Sequence, residues 1–192
     1  MKRFLASIAL LSAMLLPIAV FAQHALPRDS VYQLDASMTD QSARSTPLAS
    51  RRGRVQLVSM FYTSCRYICP LIIDSGLAIE KKLTPAEKQR LGITLISMDP
   101  KRDNPAALSR VATRRKLDLK RWALLRPQSA DVRSIAGVLG IRYRELADGE
   151  FNHTSALVLL DAEGRILART EQLGSVPDPQ FVAAVRKALA AR

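Results

Sequence analysis

Residues 55–62 (VQLVSMFY) run directly into Thr63-Ser64-Cys65-Arg66-Tyr67-Ile68-Cys69-Pro70, after which Leu71, Ile72, Ser75, Ala78, Ile79 and Leu83 recur at helical spacing. The first run is apolar and rich in strand formers, which marks a buried strand. Pro70 suits the first turn of a helix, where its missing N–H costs nothing. The chain is therefore predicted to pass from a buried strand into a helix within a few residues. Both of its cysteines lie at that junction. Junctions of this kind, at strand ends in an open α/β sheet, are where ligands and reactive groups collect.

The alternation continues downstream. Residues 93–98 (ITLISM) read as a second buried strand. Asn104-Pro105 supplies an N-cap and a first-turn proline for a helix from about 105 to 117. Residues 122–125 are a third strand, and Ser129 is expected to cap a helix ending at Gly140. Residues 155–160 (SALVLL) and 165–170 form two strands joined by the turn Asp161-Ala162-Glu163-Gly164. Asp178-Pro179 opens a last helix with Phe181, Val185 and Leu189 on one face. Residues 23–50 are polar and weakly patterned, with a strand start expected at 31–34. There is no internal repeat. Strands alternating with helices and closing on a hairpin and a helix predict an α/β domain with a mixed sheet.

The chain has 192 residues, enough for one domain with a substantial core. Its first residues are read separately. Lys2 and Arg3 precede an apolar stretch over 4–22, and Pro17 and the Val20/Ala22 pair shape a cleavage site. This predicts a secretory signal over 1–22, cut after Ala22, with a single domain over 23–192. The competing reading is an uncleaved anchor through residues 4–22, close to the roughly 20 residues that span a bilayer. Export to the periplasm is the expectation in either case.

The net charge is +12, and without Lys2 and Arg3 the remaining 27 basic and 17 acidic residues leave +10. Such a surface is either ordinarily solvated or attracted to an anionic membrane or an acidic partner. Nucleic acid is not expected, since no aromatics are interleaved with the basic runs.

In an exported chain two cysteines usually mean a structural disulfide. A bridge across three residues closes a very small loop and removes little unfolded-state entropy, so chemistry fits the spacing better than a staple. At a helix N-terminus the free N–H groups and the positive end of the dipole favour thiolate, and Arg66 adds charge between the two sulfurs. Two thiolates suit Cu(I), with Zn(II) as competitor, or serve as a redox pair. The chain's histidines are His24 and His153. His153, ahead of a strand that would lie beside the one leading to Cys65, is either a third ligand or an ordinary loop residue. His24 belongs to the chain end. Met38, Met60 and Met98 are possible thioether ligands, but strand context assigns Met60 and Met98 to the core.

Taken together, three motifs resemble the SCO/SenC family of copper-binding, thioredoxin-like proteins, over roughly residues 31–189. The first is Cys65-Arg66-Tyr67-Ile68-Cys69-Pro70, similar to the family's Cys-x-x-x-Cys-Pro. The second is Asp99-Pro100-Lys101-Arg102-Asp103-Asn104-Pro105, similar to Asp-Pro-x-Arg-Asp-x-Pro. The third is Asn152-His153-Thr154 ahead of an apolar strand and Asp161-Ala162-Glu163-Gly164. Where many relatives carry His-Cys-Pro-Asp at the first cysteine, this chain carries Ser64-Cys65-Arg66-Tyr67.

The resemblance implies a thioredoxin-like three-layer α/β fold with a mixed central sheet and an N-terminal extension or hairpin. It implies copper, as Cu(I) or Cu(II), on Cys65, Cys69 and His153. It further implies delivery of copper to the binuclear site of a respiratory oxidase, with an oxidase subunit or another copper chaperone as partner. A thiol-disulfide oxidoreductase working through Cys65 and Cys69, and a copper or redox sensor, are the alternatives. Asp99 is expected either to orient a ligand or to contact the client. Asp103 is expected to cap the following helix.

Overall fold

The structure, a computed structural model, describes residues 25–65 and 67–191. The expected signal segment, His24 and Arg66 lie outside the described residues.

The chain enters through a single 3-10 turn at Val31–Gln33, not the expected strand. The reason is local: Ser30 Oγ accepts the Tyr32 N–H, and that bond competes with a ladder. Strands β1 (Ser37–Asp40) and β2 (Ser45–Pro47) form an antiparallel hairpin. Strand β3 (Val55–Phe61) leads to helix α1 (Ile68–Lys82), and Thr84 then caps a short helix α2 (Pro85–Arg90). Strand β4 (Leu91–Ser97) follows, then helix α3 (Pro105–Arg114) and strand β5 (Trp122–Pro127). Helix α4 (Val132–Val138) precedes a two-stranded flap, β6 (Tyr143–Glu145) with β7 (Phe151–His153). Strands β8 (Leu157–Leu160) and β9 (Ile166–Thr170) and helix α5 (Pro179–Ala190) complete the order.

The main sheet runs β2-β1-β5-β4-β3-β8-β9. Strands β3, β4 and β5 are parallel, while β1 and β8 join them antiparallel. The mixed sheet expected from the alternation is thus present, with the N-terminal hairpin on one edge. Every residue of β3 and β4 is buried, as it must be for parallel strands covered on both faces. Each leucine or isoleucine buried there contributes about 1.5–3 kcal/mol by leaving water. Met60 and Met98 are core residues as expected, and Met38 is buried with them.

Helix ends follow local chemistry. Asn104 caps α3, its Oδ1 accepting the Ala107 N–H, but the helix stops at Arg114 because Lys116 turns left-handed. Ser129 does not cap α4. Asp131 holds the N-cap position, and the segment 128–131 closes as a turn from Asp131 N–H to the Gln128 carbonyl. Gly140 takes the left-handed conformation expected of a glycine after a helix. Against β5, Gly76 of α1 lies so close to the Trp122 ring that a Cβ would stand 2.6 Å from it. The indole N–H, buried there, is satisfied by Glu80 at 3.1 Å, and Glu80 pairs with Arg121 at 3.0 Å.

Candidate functional site

Strand β3 ends at Phe61, and a tight turn from the Cys65 N–H to the Tyr62 carbonyl carries the chain into α1. No side-chain oxygen caps this helix. Sulfur does so instead: Cys65 Sγ accepts the Cys69 N–H at 3.4 Å. Cys69 Sγ in turn accepts the Tyr62 N–H at 3.4 Å. Both cysteines are free thiols, Cys65 half-buried and Cys69 buried.

The two sulfurs meet, and this splits their acidities. The Cys69 thiol donates to Cys65, and the N–H groups of Cys69, Tyr67 and Ile68 add to it, which pulls Cys65 down to about 4 against the cost of its burial. The same bond, and then burial, push Cys69 far up. At neutral pH the pair is one half-buried thiolate facing the cleft and one buried thiol. An open cleft of roughly 520 Å³ runs along it, lined by Tyr62, Cys65, Cys69, Ile73 and Arg114.

Asp103 is not the helix cap expected of it, since Asn104 fills that role. It is fully buried and accepts from the Thr63 hydroxyl at 2.5 Å, the Thr63 N–H at 3.1 Å and the Ser97 hydroxyl at 2.6 Å. It therefore pins the cysteine loop to the end of β4. Burial raises its pKa, and the donors from Ser97 and Thr63 oppose that. An aspartate next to Asn-Pro reads as a cap in sequence; the signal that would have revealed the pin is Ser97, on the inward side of the strand ahead of it. Asp103→Ala would leave these donors buried without an acceptor, each costing about 1–3 kcal/mol. Urea unfolding should show a loss of roughly 3 kcal/mol or more. A variant as stable as the parent would refute the pin.

Asp99 is buried and pairs with Arg102, whose guanidinium also donates to the Gly149 carbonyl and lies over the Phe151 ring at 5.9 Å. Its contact is therefore with the β6–β7 flap and not with a cysteine. Tyr62 ties the same flap from the other side. Its hydroxyl donates to Glu150 at 2.8 Å, and its ring meets Phe151 at 5.1 Å and His153 at 6.0 Å, both edge-on. Burial, and then the bond to Glu150, keep the phenol protonated well above its ordinary range.

His153 sits in β7, paired with Tyr143. Its Nδ1 lies 3.2 Å from the Thr154 carbonyl and 3.3 Å from the Ser155 hydroxyl, and in the Nδ1–H tautomer it donates to that carbonyl. Nε2 is buried without a hydrogen-bond partner among the described residues. Among the described residues no three His, Cys, Asp or Glu side chains are gathered as a ready metal site. The fold brings Cys65 and Cys69 together and holds His153 beside Tyr62, with the β3–β8 pairing placing the strand that follows the His153 flap next to the one that leads to Cys65.

A mixed sheet whose strand β3 ends at a thiol pair capping a helix defines a thioredoxin-like α/β protein. The SCO1/SenC family model matches residues 28–190, and the chain belongs to that family. A SCO1 protein homolog of Bacillus subtilis (strain 168) is 25% identical over 152 residues, 78% of each chain. Among solved structures, BsSco, a member of the Sco family of cytochrome c oxidase assembly proteins described with a disulfide switch, superposes at TM-score 0.68 and 23% identity, covering 84% of this chain and 95% of its own. ScoI of Bradyrhizobium japonicum, solved with copper bound, superposes at 0.62 and 20% identity, over 79% and 96%. These likenesses establish the thioredoxin-like fold. No helix among the described residues is long and apolar enough to cross a membrane.

Proposed function

We propose that this chain is a periplasmic copper metallochaperone that carries copper on Cys65, Cys69 and His153 and serves assembly of the binuclear copper site of a respiratory cytochrome c oxidase. The observation that carries the reading is the buried, unpartnered Nε2 of His153. A neutral imidazole with Nδ1–H bonded to a carbonyl is the form that ligates metal through Nε2. Two convergent sulfurs are the soft donors that select copper. Family membership and the copper held by the Bradyrhizobium japonicum relative support the choice of metal. Export rests on the sequence of residues 1–22.

Copper is the cargo, and the donor set accounts for its capture and release. Cys65 enters as thiolate. Cys69 must give up its proton, so uptake releases a proton and strengthens as pH rises. Oxidation to a Cys65–Cys69 disulfide removes both soft donors, so metal and disulfide exclude each other.

Metal analysis after dialysis tests the assignment. The parent should retain one copper per chain, and the Cu(II) form should show sulfur-to-copper charge transfer. Cys65→Ser and Cys69→Ser should each lose that band. Unchanged copper content in both would end the reading.

A second reading is favoured by one observation: a half-buried thiolate at a cleft, backed by a buried thiol, is the arrangement of a disulfide reductase. In that case Cys65 attacks a client disulfide sulfur and Cys69 resolves the mixed disulfide. The client leaves as a dithiol, and the protein is left oxidised.

A further inference from the structure

The first turn of α1 presents an apolar pair to solvent. Tyr67 is 87% exposed and Leu71, four residues on, is 40% exposed. Residues four apart share a helix face. Tyr67 makes no ring contact or hydrogen bond through its side chain among the described residues. Exposed aromatics ringed by arginine are the composition of an interface centre.

Two clefts flank this turn. The first is the cysteine cleft, with Arg114 at its rim. The second, of roughly 740 Å³, begins at Ile68 and is lined by Arg142, Arg144, Asn152 and His153. Ile68 and Cys69 are neighbours in sequence, so the clefts lie on two sides of the same helix start. Arg142 and Arg144 sit two residues apart along the flap, and both are exposed.

The arginines are distinguished by what they lack. Arg115, beside Arg114, is paired with Asp74. Arg114, Arg142 and Arg144 have no carboxylate partner and no side-chain hydrogen bond among the described residues. The acid lining the second cleft, Glu171, is engaged by Arg169 at 3.5 Å. Three arginines without a carboxylate partner among the described residues therefore line the two clefts at the helix start that carries Cys69 and the exposed Tyr67 and Leu71.

We propose that this face docks an acidic protein segment, with Tyr67 and Leu71 as its apolar centre and Arg114, Arg142 and Arg144 binding carboxylates on either side. The net charge of +10 beyond Lys2 and Arg3 steers such a partner from a distance, and the local arginines set its register. The occupant must bring a reacting group to a recessed sulfur between the two arginine groups, which a protein loop does and a lipid surface does not. The inference names the kind of partner for the site described above. It rests on the proposed function only in requiring that a partner reach the cysteine pair, whether copper or electrons are exchanged.

The test is direct binding to the mature chain, with no metal present. Two fluorescein-labelled peptides of equal length are compared by anisotropy, one built on Asp, Glu and Leu, the other with Lys in place of the acids. The acidic peptide should bind, weaken steeply with salt and protect Cys65 from alkylation by iodoacetamide. Arg142→Glu with Arg144→Glu should lower its affinity about tenfold, and Arg114→Glu and Tyr67→Ala should each lower it too. The control pair Arg133→Glu with Lys187→Glu changes net charge equally on exposed positions elsewhere. If the control pair weakens binding as much as the face pair, net charge alone is responsible and the docking face is refuted. Equal binding of both peptides refutes it as well. Arginine-dependent binding to phosphatidylglycerol vesicles without any preference for the acidic peptide would reassign the face to lipid and overturn the proposal.

Discussion

Alkylation of the copper-free protein by iodoacetamide is expected to take place at one thiol, Cys65, at a rate that stays nearly flat from pH 9 down to about pH 5. The thiolate is the nucleophile, so reactivity persists above the pKa and is lost below it. With Cys65 drawn down to about 4 by the Cys69 thiol and the first N–H groups of α1, the loss falls only as pH approaches that value. An ordinary thiol, with a pKa near 8.5, would lose about tenfold per unit below it. Lower basicity also lowers intrinsic nucleophilicity, with a Brønsted slope of about 0.4–0.5. The two effects leave Cys65 ahead of an unperturbed cysteine by roughly fifteen- to fiftyfold at pH 5. Cys69, held protonated by its bond to Cys65 and by burial, should stay unlabelled in the native protein. Removing it in Cys69→Ser takes away the thiol, the largest cause of the Cys65 shift, and should move the profile upward. A profile that already bends near pH 8 in the parent would show that the two sulfurs do not share a proton as described.

His153→Ala should separate delivery from reduction in cells. Removing an outer partner of a metal ligand typically costs about 10–100-fold in affinity, and deleting a ligand itself is expected to exceed that. The variant keeps both thiols, the Asp103 pin and the helix start, so exchange with a small disulfide should continue at the parental rate. Assembly of the oxidase copper site should nevertheless fail, as it should in Cys65→Ser. If His153→Ala cells assemble the site normally while Cys65→Ser cells do not, thiol reduction is the main activity. Tyr62 meets the imidazole edge-on, so folding of the variant is checked by its unfolding midpoint.

Much of this protein is legible along the chain because its signals are local. A wholly apolar run such as 55–62 has only a buried strand to become, and Pro70 and Asn104-Pro105 mark helix starts whatever surrounds them. The cysteine pair, its place at a helix N-terminus and the family resemblance are legible for the same reason, since all lie in short ordered stretches. Where local signals competed, sequence alone misread them. Ser30 diverted residues 31–34 into a 3-10 turn, and Asp131 displaced Ser129 from the cap of α4.

What only the tertiary structure decided are relations between distant segments. Asp103 reads as a cap until Thr63 and Ser97 are seen to donate to it from two other strand ends. Asp99 reads as a group that orients a ligand or contacts the client, and the fold adds its pairing with Arg102, which ties it to the flap. The division of labour between Cys65 and Cys69 is not in their spacing, which treats them alike. It arises because the helix start exposes one sulfur to N–H donors and cleft while burying the other under Tyr62. The unpartnered nitrogen of His153 is likewise a statement about everything packed around it. Periodicity and caps depend on neighbours in sequence, whereas burial and charge compensation depend on neighbours in space, and only folding brings those together.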